Sequence, residues 1–261
     1  MKKQLIICLL SGVVSCLAEE ARPLMLADRV RQADVIAVAR VDNIKVQTAN
    51  ENIEYQTLTC TLTNELKGKL VKNPAEVVLA LRLKDVPPPD RMLSNQSYLV
   101  FFTGDWSLVP VTPNGSILPA TEATGKLLGE IRPLVKECSP IRLVSLRVVT
   151  PGGWSADTKI HSGGKRTGGH MSGGPMPFLH MEEKPLTDSA ALSNVIAQAE
   201  KVFRSPVPSQ PEIRTNELVY IQIETFDRET KVYQRPIKGA FADKDLVELD
   251  RLLHRHRIGA W

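Results

Sequence analysis

An alternating stretch near residue 60 constrains the fold of this chain more than any other feature. Within residues 57–63 every second residue is threonine, and the residues between them are Leu58, Cys60 and Leu62. This period of two is typical of a β-strand with one buried and one exposed face. Residues 33–41 form an apolar run rich in β-branched side chains, which predicts a second strand. Together the two stretches predict neighbouring strands of an antiparallel sheet.

Residues 1–18 predict a signal peptide. Two lysines at the start are followed by an apolar run at residues 5–14, and Ala18 offers a small residue for cleavage. The run is too short to cross a bilayer as a helix, and a basic start before an apolar core is typical of a secretory signal. The sequence therefore predicts a secreted or periplasmic protein.

A lipoprotein signal is the alternative. Residues 13–16, Val-Val-Ser-Cys, resemble a bacterial lipobox, and cleavage there would expose Cys16 for lipidation. The mature chain would then be a membrane-anchored lipoprotein. Lipid would be its only attachment, because no later segment of the sequence is apolar for long enough to span a bilayer.

The net charge of the chain limits which classes of partner the sequence favours. The formal net charge is +4 and falls to +2 when Lys2 and Lys3 are lost with the signal peptide. This value, without a lysine or arginine cluster, does not favour nucleic acid as a partner.

Cleavage after Ala18 leaves only Cys60 and Cys138, which in an oxidising compartment form either a disulfide or two separate buried thiols.

The first half of the mature chain has the pattern of closely spaced strands closed by a helix. Residues 121–135 carry leucine and isoleucine near helical spacing, which predicts the helix. The strands are predicted at residues 35–44, 55–64, 77–83, 97–103 and 106–111. This order favours an all-β Greek-key barrel of the OB type at residues 24–138.

Three segments of this half carry a family resemblance: Ala-Asp-Val-Ile-Ala-Val-Ala-Arg-Val at residues 33–41, Leu-Thr-Asn-Glu-Leu-Lys-Gly at 62–68 and Tyr-Leu-Val-Phe-Phe at 98–102. They resemble the netrin-like module, the OB-fold of the tissue inhibitors of metalloproteinases (TIMP-like). The resemblance implies an OB barrel and a metalloprotease as partner. Those inhibitors place a free N-terminal cysteine on the protease zinc. Cleavage after Ala18 leaves a glutamate first, so zinc chelation by this route is not expected.

The second half predicts a small α+β domain at residues 141–261. A strand at 141–150 is followed by a helix at 189–202, and a hairpin at 219–236 is followed by a helix at 243–254. Between them, residues 152–174 contain eight glycines in adjacent pairs. Because this segment lacks both a Gly-Lys-Ser/Thr ending and a GxGxxG motif, it predicts a mobile glycine-rich loop rather than a phosphate site.

The order of these elements carries a second resemblance. The helix at residues 192–203, the strand Val-Tyr-Ile-Gln-Ile at 219–223 and the helix at 246–253 resemble the emfourin-like family of small bacterial metalloprotease inhibitors. The resemblance covers residues 142–256 and is one of pattern, without a specific motif. No inhibitory residue is transferred from that family.

No catalytic or metal-binding set emerges from the sequence. A helical metal site needs histidines four apart, whereas His254 and His256 are two apart and diverge around the predicted helix. No serine lies in a Gly-x-Ser-x-Gly motif. We therefore predict a protein that is not an enzyme and has no cofactor and no metal. The remaining histidines lie in or near the glycine-rich segment: His161, His170 and His180.

The functional hypothesis is an exported, non-enzymatic binding protein whose partner is an extracytoplasmic protein. The two resemblances make inhibition of a secreted metalloprotease the specific form of this hypothesis, with a structural or scaffolding envelope lipoprotein as the alternative. Candidate interface residues lie on loops, where binding commonly resides: Arg91 beside a run of prolines, Trp106, and Trp154 beside a double glycine. For both tryptophans the alternative is core packing.

Overall fold

The structure is a computed structural model, and it describes residues 24–50, 53–69, 75–82, 93–104, 109–111, 115–120, 122–150, 155–171, 179–206, 215 and 217–258. These ranges are mostly β and contain two antiparallel sheets of six strands and four α-helices. None of those helices has the length and apolar content needed to cross a membrane.

The first sheet is formed by residues before 120. Its strand order is β3–β2–β1–β4–β5, and β6 also pairs with β4. A long hairpin of β1 and β2 dominates it, because both strands continue beyond the predicted ranges 35–44 and 55–64, β1 to Asn50 and β2 from Ile53. The strands are β1 (Val35–Asn50), β2 (Ile53–Lys67), β3 (Ala75–Arg82), β4 (Ser97–Thr103), β5 (Val109–Pro110) and β6 (Ile117–Pro119).

Alternation along β2 separates two apolar clusters. Leu58, Cys60 and Leu62 are buried as predicted and join residues of the other strands in a cluster supplied by strands alone. The opposite face presents Ile36 and Phe101 to two helices, α1 (Leu26–Gln32) and α2 (Glu122–Glu137), which bury Val30 and Ile131 there. Burial of apolar surface on both faces accounts for the near-complete burial of β4.

The two cysteines lie in different clusters and are free thiols. Cys60 is buried in the cluster made by strands, whereas Cys138 packs against the helix-covered cluster on the other face. The disulfide considered from the sequence is therefore not formed. The period of two that buries Cys60 directs its side chain away from the face on which α2 ends.

The second sheet has the order β10–β9–β8–β7–β11–β12 and two helices on one face. Val144, Leu146, Ile221 and Ile223 from its central strands pack against α3 and α4. The elements are β7 (Ile141–Val149), β8 (Ser155–His161), β9 (Lys165–Met171), β10 (Leu179–Pro185), α3 (Ser189–Arg204), β11 (Leu218–Thr225), β12 (Thr230–Pro236) and α4 (Lys244–Arg255).

Both helices of the second sheet begin at an aspartate. Asp188 accepts hydrogen bonds from the backbone N–H groups of Ala190 and Ala191, and Asp243 does the same for Asp245 and Leu246. These bonds satisfy N–H groups that have no partner inside the helix. Asp188 directly precedes the helix predicted at residues 189–202, and the predicted start of that helix is confirmed.

The glycine-rich segment is not a loop over its described part, so that prediction is wrong. Residues 155–171 form β8 and β9 with a turn between them. The glycines serve close packing: a Cβ at Gly168 would lie 2.6 Å from Cβ of Ile258, and one at Gly163 would lie 3.0 Å from Cα of Gln32. The sequence suggested flexibility because it does not show which segments approach these glycines.

Candidate binding cleft between the two sheets

A cleft of about 810 Å³ lies where the helices of the first sheet meet those of the second. Ala27 and Arg31 of α1, the end of α2 with residues 138–140, and one side of α3 from Leu192 to Arg204 form its walls. Lys67 and Phe226 contribute from the two sheets. A pocket of this size that contains an ionisable group with a shifted pKa is the expected form of a binding site.

Lys67, the last residue of β2, is the least expected residue in the cleft. Only 5% of it is exposed, and its Nζ donates hydrogen bonds to the carbonyls of Val30 (2.7 Å) and Arg31 (3.2 Å) in the last turn of α1. The ring of Phe226 lies 4.1 Å from Nζ. A cation is favoured at a helix C-terminus and over an aromatic face, so Lys67 ties α1 to the second sheet.

Burial lowers the pKa of Lys67 to about 8, because desolvation disfavours the charged amine. Electrostatic interactions with Cys138 and Asp34 oppose this shift. The backbone next to Lys67 is equally restricted: Gly68 has φ +72°, and a Cβ there would lie 2.0 Å from the carbonyl oxygen of Asp34. Only glycine fits this close approach.

Hydrogen bonds join the wall formed by α3 to the connection between α2 and β7. Ser139 Oγ donates to Glu200 Oε2 at 2.8 Å and accepts from the N–H of Ile141 at 3.3 Å. Glu200 also pairs with Arg204 one turn further along α3. The carboxylate of Glu200 is therefore occupied by groups of the protein.

A buried ion pair between Arg142 and Asp34 joins the two sheets, and a second pair, between Arg142 and Glu224, lies within the second sheet. Arg142 of β7 is 2% exposed; its Nη2 lies 3.0 Å from Glu224 Oε1, and its Nη1 lies 3.8 Å from Asp34 Oδ1. Asp34 Oδ2 accepts from Thr103 Oγ1 at 2.7 Å and from the N–H of Gly104 at 3.0 Å. The buried charges are thus surrounded by opposite charges and donors, as burial of a charge requires.

The cleft carries more positive than negative side chains. Its lining includes four cations, Arg31, Lys67, Lys136 and Arg204, but only two carboxylates, Glu137 and Glu200. Lys136 is exposed, and within the described ranges no hydrogen bond or ion pair engages it. The lining therefore has an excess of two positive charges.

Of the residues singled out in the sequence that the structure describes, Cys138 lies in the cleft and Cys60 is buried in the cluster made by strands. Cys16, Arg91, Trp106 and Trp154 lie outside the described residues, so their roles stay predictions. Sequence reasoning missed Lys67 because a lysine before a glycine has the pattern of an exposed turn. The burial of Lys67 follows from its pairing with Ile36 in the buried part of β1, which only the structure shows.

The histidines do not converge in the cleft. His254 lies in the last turn of α4, where its Nε2 is 3.3 Å from Asp250 Oδ1, and His256 is the C-cap residue, as the sequence predicted. His161 ends β8, and His170 and His180 occupy paired positions of β9 and β10. In the described part of the structure, no group of three or more histidine, cysteine, aspartate or glutamate side chains is placed to hold a metal ion.

Comparison with models of known protein families gives no match to this chain, and comparison with curated protein sequences gives none. The netrin-like and emfourin-like resemblances therefore stay predictions. The described geometry offers a preformed cleft with buried polar contacts at its base. Such a site can hold and orient a ligand.

Proposed function

We propose that this chain is an exported, non-enzymatic binding protein. The observation that carries the proposal is the cleft of about 810 Å³ between two sheets that the buried ion pair of Arg142 with Asp34 joins. A rigid scaffold around a preformed concave site lowers the conformational cost of binding. Export rests on the basic and apolar pattern of residues 1–18, which lie outside the described residues.

The proposed architecture is an OB-like barrel at residues 24–138 and an α+β domain at residues 141–261. Two observations support a barrel: β3 and β5, at opposite ends of the strand order, contact each other, and strands alone supply one apolar cluster. Curling of a sheet onto itself produces this arrangement. Pro140 would then mark the boundary between the two domains.

We propose a secreted metalloprotease as the first partner to test, because both resemblances are to families that include metalloprotease inhibitors. The mature chain, residues 19–261, is immobilised and incubated with the secreted fraction of its source, and captured proteins are assayed for thermolysin-type activity. A captured protease that the soluble chain inhibits at micromolar concentration supports the proposal. Absence of any captured protease, together with unchanged thermolysin-type activity, contradicts inhibition.

Loop variants sharpen this test. If Arg91 and Trp154 anchor the partner, Arg91→Ala and Trp154→Ala each weaken inhibition at least about tenfold, the range of interface hot spots. Arg40→Ala is the matched control, because Arg40 is exposed on β1 and its charge pairs only with the neighbouring Asp42 among the described residues. Equal inhibition by all three variants would place the interface elsewhere.

The alternative function is a structural or scaffolding envelope lipoprotein. It depends on Cys16, which lies outside the described residues, and on the lipobox-like residues 13–16. Metabolic labelling with radioactive palmitate distinguishes the two. Label on the wild-type chain that Cys16→Ser abolishes would favour the lipoprotein, and an unlabelled, shortened chain in the secreted or periplasmic fraction would favour the soluble protein.

A further inference from the structure

The cleft between the two sheets combines apolar surface with an excess of positive charge. We propose that it binds a small anionic amphiphile, a molecule with an apolar body and one carboxylate or phosphate group. This inference rests on the binding function proposed above and adds the chemical class of the ligand. It concerns a small molecule in the cleft, whereas the proposed protease contact lies on loops.

The apolar part of the lining comes from three elements. Leu134 near the end of α2 and Leu192 of α3 are half-buried, and the side chains of Ile196 and Phe226 complete this surface. The volume of about 810 Å³ falls within the range of about 300–1,000 Å³ that is typical of small-molecule pockets. Burial of an apolar body against these side chains would supply most of the binding free energy.

The charged part of the lining favours an anion. When Asp28, which lies outside the lining and pairs with Arg31, is counted with the lining carboxylates Glu200 and Glu137, one positive charge remains in excess. Arg204 is already paired with Glu200, to which Ser139 also donates a hydrogen bond. Lys136, by contrast, is exposed beside the cleft without a hydrogen-bonding or ion-pair partner in the described ranges. An anionic group near Lys136 would gain attraction without displacing a protein contact, and a cationic group would be repelled by the same surface.

The experiment is calorimetric titration of the mature chain, residues 19–261, with three probes that share one apolar body. Decanoate and decyl phosphate carry the two candidate anionic groups, and decyltrimethylammonium reverses the sign of the charge. All three are used below the concentrations at which they form micelles. We expect at least one anion to bind at least tenfold more tightly than the cation, and the stronger of the two identifies the head group.

Two pairs of variants locate the site. Ala197 is an exposed residue of α3 that lines the cleft, so Ala197→Trp fills it and should weaken binding at least tenfold. Ala190→Trp, on the same helix but away from the cleft, should leave binding within twofold. Lys136→Gln should weaken anion binding about twofold to fivefold, the usual effect of one exposed charge, whereas Lys126→Gln, also exposed on α2, should not.

Different outcomes test the chemical class of the ligand, the location of the site and the protease hypothesis. Equal binding of the cation and the anions overturns the anionic class, and no binding by any probe overturns the proposal as a whole. Binding that survives Ala197→Trp shows that the probe does not occupy the cleft, which also overturns it. Capture of no protease leaves these titrations unaffected, so failure of that hypothesis is recognised independently.

Discussion

Arg228 donates a hydrogen bond from Nε to the backbone carbonyl of Lys69 at 2.8 Å, although 159 residues separate the two in sequence. The N–H of Lys69 in turn donates to the carbonyl of Phe226 at 2.9 Å. The end of β2 is therefore bonded to the turn after β11 through both backbone and side chain. This contact is formed by the same two segments that bring Lys67 and Phe226 to the cleft.

This contact joins the two sheets next to the cleft. Lys69 follows β2 of the first sheet, and Arg228 follows β11 of the second, so loss of their contact would let the two sheets separate at this point. Arg228 Nη1 also lies 2.9 Å from Glu224 Oε1, the oxygen that Arg142 approaches. The hydrogen bonds at the surface and the buried ion pairs thus form one connected network, in which the effects of single substitutions are not independent.

The first prediction concerns the centre of that network. Arg142→Ala removes the guanidinium that lies between Asp34 and Glu224. Glu224 keeps its contact with Arg228, but the buried carboxylate of Asp34 loses the arginine that balances it, which is costly. We expect the free energy of unfolding to fall by about 3–5 kcal/mol, measured by urea denaturation. The control is Arg147→Ala on the same strand, where the arginine is exposed and the expected change stays within about 0.5 kcal/mol. A similar loss in both variants would contradict the role of burial.

The second prediction concerns the pH dependence caused by Lys67. Its pKa is lowered from 10.5 to about 8 in the folded protein, so the unfolded chain holds the proton over a range in which the folded chain has released it. Stability from this group therefore rises as the pH increases from about 8 to about 10.5 and is constant below that window. The full gain is of the order of 3 kcal/mol.

The measurement is urea unfolding at several pH values for the wild type and Lys67→Met. Because other groups titrate in the same range, the quantity of interest is the difference between the two proteins. That difference should grow in favour of the wild type between pH 8 and pH 10.5. Lys69→Met, which changes an exposed lysine paired with Asp227, should leave the slope unchanged. A flat difference for Lys67→Met would mean that the amine titrates normally.

The third prediction concerns the thiols. Burial raises the pKa of Cys60 to about 12, whereas Cys138 is half-buried at the cleft. Since the thiolate is the reactive form, alkylation of the native mature chain at pH 8 should modify Cys138 first, with Cys60 reacting only when the protein unfolds. Mass spectrometry counts the modified thiols, and Cys138→Ser provides the control. Two unreactive cysteines, rescued by a reductant, would instead reveal a disulfide.

The sequence predicted the strands and helices that have a recognisable local pattern. It missed features that depend on contacts with residues far away in the chain. The alternation within residues 57–63 predicted β2 and its buried face, and the pattern of residues 189–202 predicted α3, because both signals depend on near neighbours. The glycines of β9 and of the turn before it were misread as a loop, since Gly168 and Gly163 admit the close approach of Ile258 and Gln32 from elsewhere in the chain. Neither approach leaves a trace in the local sequence.

The candidate site was hidden for the same reason. Lys67, Ser139 and Glu200 meet only because the two sheets pack together, and each of them alone has the pattern of a solvated residue. Among the singled-out residues that the structure describes, Cys138 lies in the cleft. A buried lysine is recognised from its surroundings, here the carbonyls of Val30 and Arg31, and these are 37 and 36 residues away.

The last prediction tests whether the glycines of the second sheet are needed for packing. Gly168→Ala places a Cβ 2.6 Å from Cβ of Ile258, a branched side chain that is itself buried. The C-terminal segment must shift to accept it, and the N–H of Ile258 would move away from Thr158 Oγ1, to which it donates at 3.3 Å. We expect a loss of about 1–3 kcal/mol in the free energy of unfolding, typical of overpacking.

The matched control for Gly168→Ala is Gly125→Ala in α2, where no atom lies within 4 Å of the added Cβ. Alanine is the better helix former, so this variant should gain about 0.5–1 kcal/mol. Urea denaturation should therefore show that the same change, glycine to alanine, lowers the free energy of unfolding at position 168 and raises it at position 125. If Gly168→Ala were as stable as the wild type, close packing against Ile258 would not explain the glycine. The prediction of a mobile glycine-rich segment would then regain support, because position 168 would tolerate a side chain.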